Sequence, residues 1–144
     1  MERNYVLMTD TGSDLPDEYY AQHGIDCVPL GFTLNGVTYG GDGGETMEVK
    51  KFYELLRGGA LPKTFQATPA QVMNHMQPYL EAGKDVLVLA FSSGLSGTCE
   101  SYRLAAKELA KQYPDRKVYV VDSLCASLGQ GLFVDYVVKK ADSG

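Results

Sequence analysis

Three apolar runs constrain this chain more than any other feature: YVLMTD at 5–10, DVLVLAF at 85–91 and KVYVVD at 117–122. Each is apolar without alternation, and each ends on polar residues. A strand with one wet face alternates polar and apolar side chains. An unbroken run suits a strand covered on both faces, as in a parallel sheet between helical layers. A fourth stretch, CVPLGFTLNGVTYGG at 27–41, carries Asn35-Gly36 between β-prone residues, which predicts a β-hairpin near residues 30–39.

Helical patterns fill the intervals. Asp14 or Ser13 is placed to cap a short helix through LPDEYYAQH that Gly24 ends, and Thr46 is placed to cap MEVKKFYELLR. In the latter, Val49, Phe52, Tyr53 and Leu56 share one face. Thr68-Pro69 is a helix start. The buried stripe behind it is Val72, Met73, Met76, Tyr79 and Leu80, with Pro78 as a kink point. Tyr102, Ala105, Ala106, Leu109, Ala110 and Tyr113 repeat at helical spacing, and LGQGLFVDYVVKKA gives a last helix. Strands alternating with helices predict an α/β fold, a mainly parallel sheet flanked by helices. The length, 144 residues, is that of one ordinary domain.

The net charge is -5 and the lysines and arginines never gather into a block, which argues against nucleic acid as a partner. Cys27, Cys99 and Cys125 are odd in number and lie outside any CxxC pair, so they read as reduced, largely buried thiols. The N-terminus lacks a signal-peptide apolar region, and no stretch reaches the length of a membrane span. The expected location is the cytoplasm, and the protein is not expected to be an integral membrane protein.

In a parallel α/β sheet, ligands sit beyond the carboxyl ends of the strands. The loops Thr9–Asp14, Ser92–Thr98 and Asp122–Ser127 qualify, with KTFQATP (63–69) beside them. AFSSGLSGTCES (90–101) is open to three chemistries. A serine nucleophile at Ser93 or Ser96 needs the G-x-S-x-G elbow, but in Gly94-Leu95-Ser96-Gly97 the second glycine comes one residue early. Only His23 and His75 are available as bases. A phosphate cradle needs GxxxxGK[ST] or a cation within the loop, and the loop has neither; GGDGGE (40–45) is glycine-rich but acidic. Asp10, Asp14, Asp42 and Asp122 are scattered and read as helix caps rather than metal ligands. The third chemistry is a carboxylate held by hydroxyls and helix-terminal N–H groups. Against all three stands the plain reading, in which Ser92, Ser93 and Ser96 cap the following helix.

TDTGSDLP (9–16), KTFQATP (63–69), SSGLSGTCES (92–101) and DSLCASLGQG (122–131) resemble, in order, motifs of the N-terminal domain of the DegV family of bacterial lipid-binding proteins. The resemblance spans nearly the whole chain. It implies a non-catalytic, cofactor-free protein that buries the tail of a long-chain fatty acid. It further implies that some full-length members present the carboxylate to a fatty acid kinase subunit, which forms an acyl phosphate. The head-group residues it implies are Thr64 and Ser93, with Ser96 the alternative in the same loop. Phe65 stands where the family pattern has a small serine. Residues 1–144 correspond to the first domain only, so the family's second domain is expected to be absent. Self-association through the exposed domain face and reduced kinase coupling follow as expectations. A structural domain without ligand, or a serine esterase using Ser93 or Ser96, are the alternatives. Each buried methylene contributes ~0.8 kcal/mol, so a long acyl chain brings roughly 10 kcal/mol of gross driving force. The polar site then has only to satisfy and orient one carboxylate.

Overall fold

The computed structural model describes residues 3–143. The apolar runs form β1 (Tyr5–Asp10), β6 (Asp85–Ala90) and β7 (Val118–Asp122), joined by a short β2 (Ile25–Val28). They make a parallel sheet in the order β2-β1-β6-β7. Between and after them lie α1 (Asp17–His23), α3 (Pro69–Glu81), α4 (Thr98–Gln112) and α5 (Ser127–Asp142). This is the α/β architecture that the apolar runs demand.

Alternation explains why β1 and β6 are apolar throughout. Successive side chains leave opposite faces of a strand. Val6, Met8, Val86 and Val88 pack with Val72, Met76 and Leu80 of α3 and with Tyr102, Ala105 and Leu109 of α4. Leu7 and Leu89 face the other way, onto Tyr20 of α1 and Val134 and Val138 of α5. Two helical layers thus sandwich one sheet.

β7 departs from the expectation of two covered faces. Val118 and Val120 pack against the α3–α4 side. Tyr119, 57% exposed, and Val121 point to a face that α5 leaves open. The reason is topological: α5 runs over β1 and β6 and does not reach the edge strand. Leu128, Leu132 and Tyr136, one stripe at four-residue spacing on α5, are exposed beside it, as is Leu124.

A second, antiparallel sheet holds β3 (Gly31–Leu34), β4 (Val37–Gly40) and β5 (Lys63–Phe65) in the order β4-β3-β5. The hairpin falls where Asn35-Gly36 places it, with φ of 50° and 80° at those residues. Strand β5, inside KTFQATP, was not legible beforehand. The helix α2 (Val49–Arg57) differs from its expected role. None of its residues is buried, and its anchor is Phe52, edge-on to Phe32 of β3 at 4.9 Å. Two of the expected caps also differ. Pro16 occupies the N-cap of α1 and Glu48 that of α2, neither with a side-chain bond. Asp14 instead closes a 3-10 turn (Thr11–Ser13) in the left-handed region, and Ser13 donates back to the Asp10 carbonyl. Thr68 caps α3 as expected, accepting from the Gln71 N–H, and α3 runs on past Pro78 to Glu81. Among the cysteines, Cys99 is buried while Cys27 and Cys125 are half-buried.

Candidate functional site

All four strands of the parallel sheet end at one edge, and Asp10 organises it. Asp10 is fully buried at the end of β1. One carboxylate oxygen accepts the Gly12 N–H at 3.1 Å and the Gln130 side-chain amide at 3.2 Å; the other accepts the Phe91 N–H at 3.0 Å. Burial raises its pKa above the usual carboxylate range, and these three donors work against that shift. Gln130 also donates toward the Thr9 hydroxyl at 3.1 Å, and Thr9 donates to the Leu89 carbonyl at 2.8 Å. This buried brace fixes where the 91–97 loop leaves the sheet. It is structural polarity of a kind that residue spacing does not advertise.

The serine loop is held at three points. The Ser92 N–H donates to the Cys125 carbonyl at 3.0 Å, and the Ser92 hydroxyl accepts the Gly94 N–H at 3.2 Å. The Ser93 N–H donates to Asp122 Oδ1 at 3.1 Å. The Ser93 side chain beside it, followed by the Leu124 and Ser93 N–H groups, holds Asp122 below the usual carboxylate range. Ser96 sits at the opening of α4, its hydroxyl 3.0 Å from the Thr98 hydroxyl and accepting the Thr98 N–H at 3.2 Å. The buried Thr98 oxygen also accepts the Ala67 N–H at 3.3 Å. Thr98 therefore latches the KTFQATP segment to the start of α4, a role the sequence reading missed.

Beside these contacts lies an open-sided cavity of about 450 Å³ lined by Leu30, Gly31, Thr64, Phe65, Gln66, Phe91, Leu95, Ser96 and Gly97. Thr64 and Ser96 meet here, brought from β5 and from the α4 opening. Ser93 lies outside the lining and is exposed. Thr64 pairs across from Phe32 and Phe65 from Gly31, so their side chains leave opposite faces of the small sheet. Both still reach the cavity wall because β5 is the sheet's edge strand. None of the lining residues is cationic. The wall combines apolar side chains with hydroxyl, amide and helix-opening N–H groups, a composition suited to an amphipathic molecule with a small polar end.

A second cavity of about 420 Å³ adjoins it, lined by residues 40–44, Thr38, Phe65, Thr68, Gln71 and Asn74. The glycine-rich loop forming its wall is ordered by its own backbone: the Gly40 N–H donates to the Glu45 carbonyl and the Glu45 N–H to that of Thr38. His75 pins the loop to the body of the fold. Its Nδ1 lies 2.8 Å from Asp26 Oδ1 and its Nε2 3.2 Å from Asp42 Oδ1.

Both ring nitrogens of His75 are thus engaged by carboxylates. His23, at the end of α1, stacks near Tyr19 at the opposite edge of the sheet. Among the described residues neither Ser93 nor Ser96 is hydrogen-bonded to a histidine, so the serine–histidine pairing of an esterase is not assembled here. Among the described residues no cluster of three or more potential metal-ligating side chains occurs, and no helix is long and apolar enough to cross a membrane.

Residues 4–144 match the model of the family described as "Uncharacterised protein, DegV family". A DegV domain-containing protein of Clostridium perfringens is 34% identical over 142 residues, covering 99% of this chain and 49% of that relative. Among solved structures, a fatty-acid-binding DegV family protein from Thermus thermophilus aligns at 34% identity and a TM-score of 0.83, over 97% of this chain and 48% of that one. A DegV lipid-binding protein from Thermotoga maritima aligns at 32% identity and a TM-score of 0.80, over 97% and 49%. The chain spans about half the length of the relatives it matches. On sequence and fold together, the chain belongs to the DegV family.

Proposed function

We propose that this chain binds a long-chain fatty acid without acting on it, the carboxylate resting between Thr64 and Ser96 at the opening of α4. The observation that carries this reading is that Thr64 and Ser96 line one cavity together with the apolar side chains of Leu30, Phe65, Phe91 and Leu95. The fatty-acid-binding protein of Thermus thermophilus supports the ligand class. A carboxylate in a site without a cation needs several donors; two hydroxyls and the N–H of Gly97, the α4 N-cap in the cavity lining, supply them. We assign the serine contact to Ser96. Ser93 serves the loop instead, anchoring it to Asp122. No cofactor takes part.

The rest of the family's apparatus belongs to the longer protein. There, a second domain covers the open face of β7 and the Leu128–Leu132–Tyr136 stripe, and a kinase subunit receives the presented carboxylate. The chain by itself exposes that face and associates through it with a second copy. Three unpaired cysteines suit the reducing cytoplasm.

Denaturing extraction of the purified chain followed by mass spectrometry tests the ligand class. Recovery of long-chain fatty acid, or stoichiometric uptake of labelled fatty acid by lipid-free protein, is the expected result. Lipid-free protein that also takes up none overturns the proposal.

A further inference from the structure

We infer that Phe65 is the residue that limits how far a bound acyl chain extends, because its ring partitions two adjoining cavities. Phe65 lines both the 450 Å³ cavity that holds Thr64 and Ser96 and the 420 Å³ cavity walled by the glycine-rich loop. No other residue lines both. Its position follows from strand register: β5 pairs Phe65 with Gly31, and β3 pairs Gly31 with Gly40. The outer end of the ring, Cζ and Cε2, stands over this floor of small residues. A Cβ on Gly31 would stand 2.3 Å from the ring's Cζ, and one on Gly41 would stand 3.5 Å from Cε2. Glycine at 31 is therefore what lets an aromatic ring sit here at all. The ring stands where the two linings meet, between a chain that starts at the hydroxyl pair and the space beyond.

The ring is also held weakly enough to matter. It is 39% exposed and takes part in none of the aromatic contacts that join Phe32, Tyr39 and Phe52. Removing it costs the fold little and merges the two cavities. Each methylene that then gains burial improves affinity about fourfold.

This inference rests on the fatty-acid reading, and its test separates the two. Phe65→Ala and the milder Phe65→Leu are compared with wild type for binding of saturated fatty acids of increasing length, by displacement of a fluorescent fatty acid. The fluorescence of anilinonaphthalene sulfonate, which needs no fatty acid, reports the enlarged cavity independently. The wild-type affinity is expected to stop rising at a chain length beyond which Phe65→Ala continues to gain, with Phe65→Leu between them. Anilinonaphthalene sulfonate fluorescence rises several-fold in Phe65→Ala. Identical length profiles in all three proteins overturn the partition while leaving fatty-acid binding intact. If none of them binds fatty acid, the ligand reading and Phe65's role in chain length fall together. Unchanged probe fluorescence in that case removes the partition as well.

Discussion

Replacing His75 with glutamine removes a cation that ties β2, α3 and the glycine-rich loop together. One ring nitrogen meets Asp26 of β2 at 2.8 Å and the other meets Asp42 of the loop at 3.2 Å. Tyr79, one turn along α3, donates to the second oxygen of Asp26 at 2.8 Å. The Asp26 contact, opposed by burial and aided by Asp42, raises the His75 pKa from 6.5 to about 9. A folded pKa above the unfolded one means the folded state holds the proton more tightly. The stabilisation is therefore complete below about pH 6.5 and is lost as the pH rises through about 9. At 1.36 kcal/mol per unit the ceiling is ~3 kcal/mol. His75 is partly open and Asp42 is 43% exposed. Solvent screening there reduces the contribution to about 1–2 kcal/mol. Urea unfolding of wild type and His75→Gln across this range measures it. The expected stability gap is about 1–2 kcal/mol near pH 6 and shrinks toward zero above pH 9. Cys27 and the tyrosines 19, 20 and 79 are pushed up to about 12, and their effect at the alkaline end is common to both proteins. A gap that stays constant across the whole range refutes the ion-pair reasoning.

Thr98→Val keeps the shape of a buried side chain but strips the acceptor from the Ala67 N–H. We expect a loss of ~1–3 kcal/mol in urea unfolding, with faster hydrogen exchange at the Ala67 amide. Asp10→Ala leaves the Gly12 and Phe91 N–H groups and the Gln130 amide without their shared acceptor. A destabilisation of about 3 kcal/mol or more is expected in the same assay, against a negligible change for Ser93→Ala. Leu128→Ser combined with Leu132→Ser strips apolar surface from the open α5 stripe. Sedimentation velocity should show less self-association than wild type with an unchanged circular dichroism spectrum.

Much of the architecture was legible because the two helical layers leave the central strands no wet face. Val6, Leu7, Met8 and Val86 to Leu89 all had to be apolar, and their unbroken runs said so. β7 carries the same kind of run but sits at the sheet edge with one face open. Apolar content reports a need for cover, not whether the cover is present in this chain. The stripe on α2 misled for a related reason: Phe52 anchors it to β3, but Leu56 is only half-buried and Val49 and Tyr53 stay exposed. Strand β5 was hidden because KTFQATP lacks alternation and its pairing depends on a hairpin thirty residues away. At the site, the loop and its neighbour KTFQATP were identifiable from small residues beside a strand end. Which of Ser93 and Ser96 lines the cavity was not: the Ser93 N–H is taken by Asp122 and the Ser96 hydroxyl meets that of Thr98, and such pairings arise only from the fold.

In the proposed site Thr64 and Ser96 hold a carboxylate whose apolar tail supplies the affinity. This is tested most directly by titrating wild type and the Thr64→Ala, Ser96→Ala double variant with a long-chain fatty acid and with the alcohol of equal length. Wild type is expected to bind the acid more tightly than the alcohol, and the double variant to lose this preference while still binding both. Equal affinity of wild type for acid and alcohol, or a double variant that keeps the full preference, would contradict it.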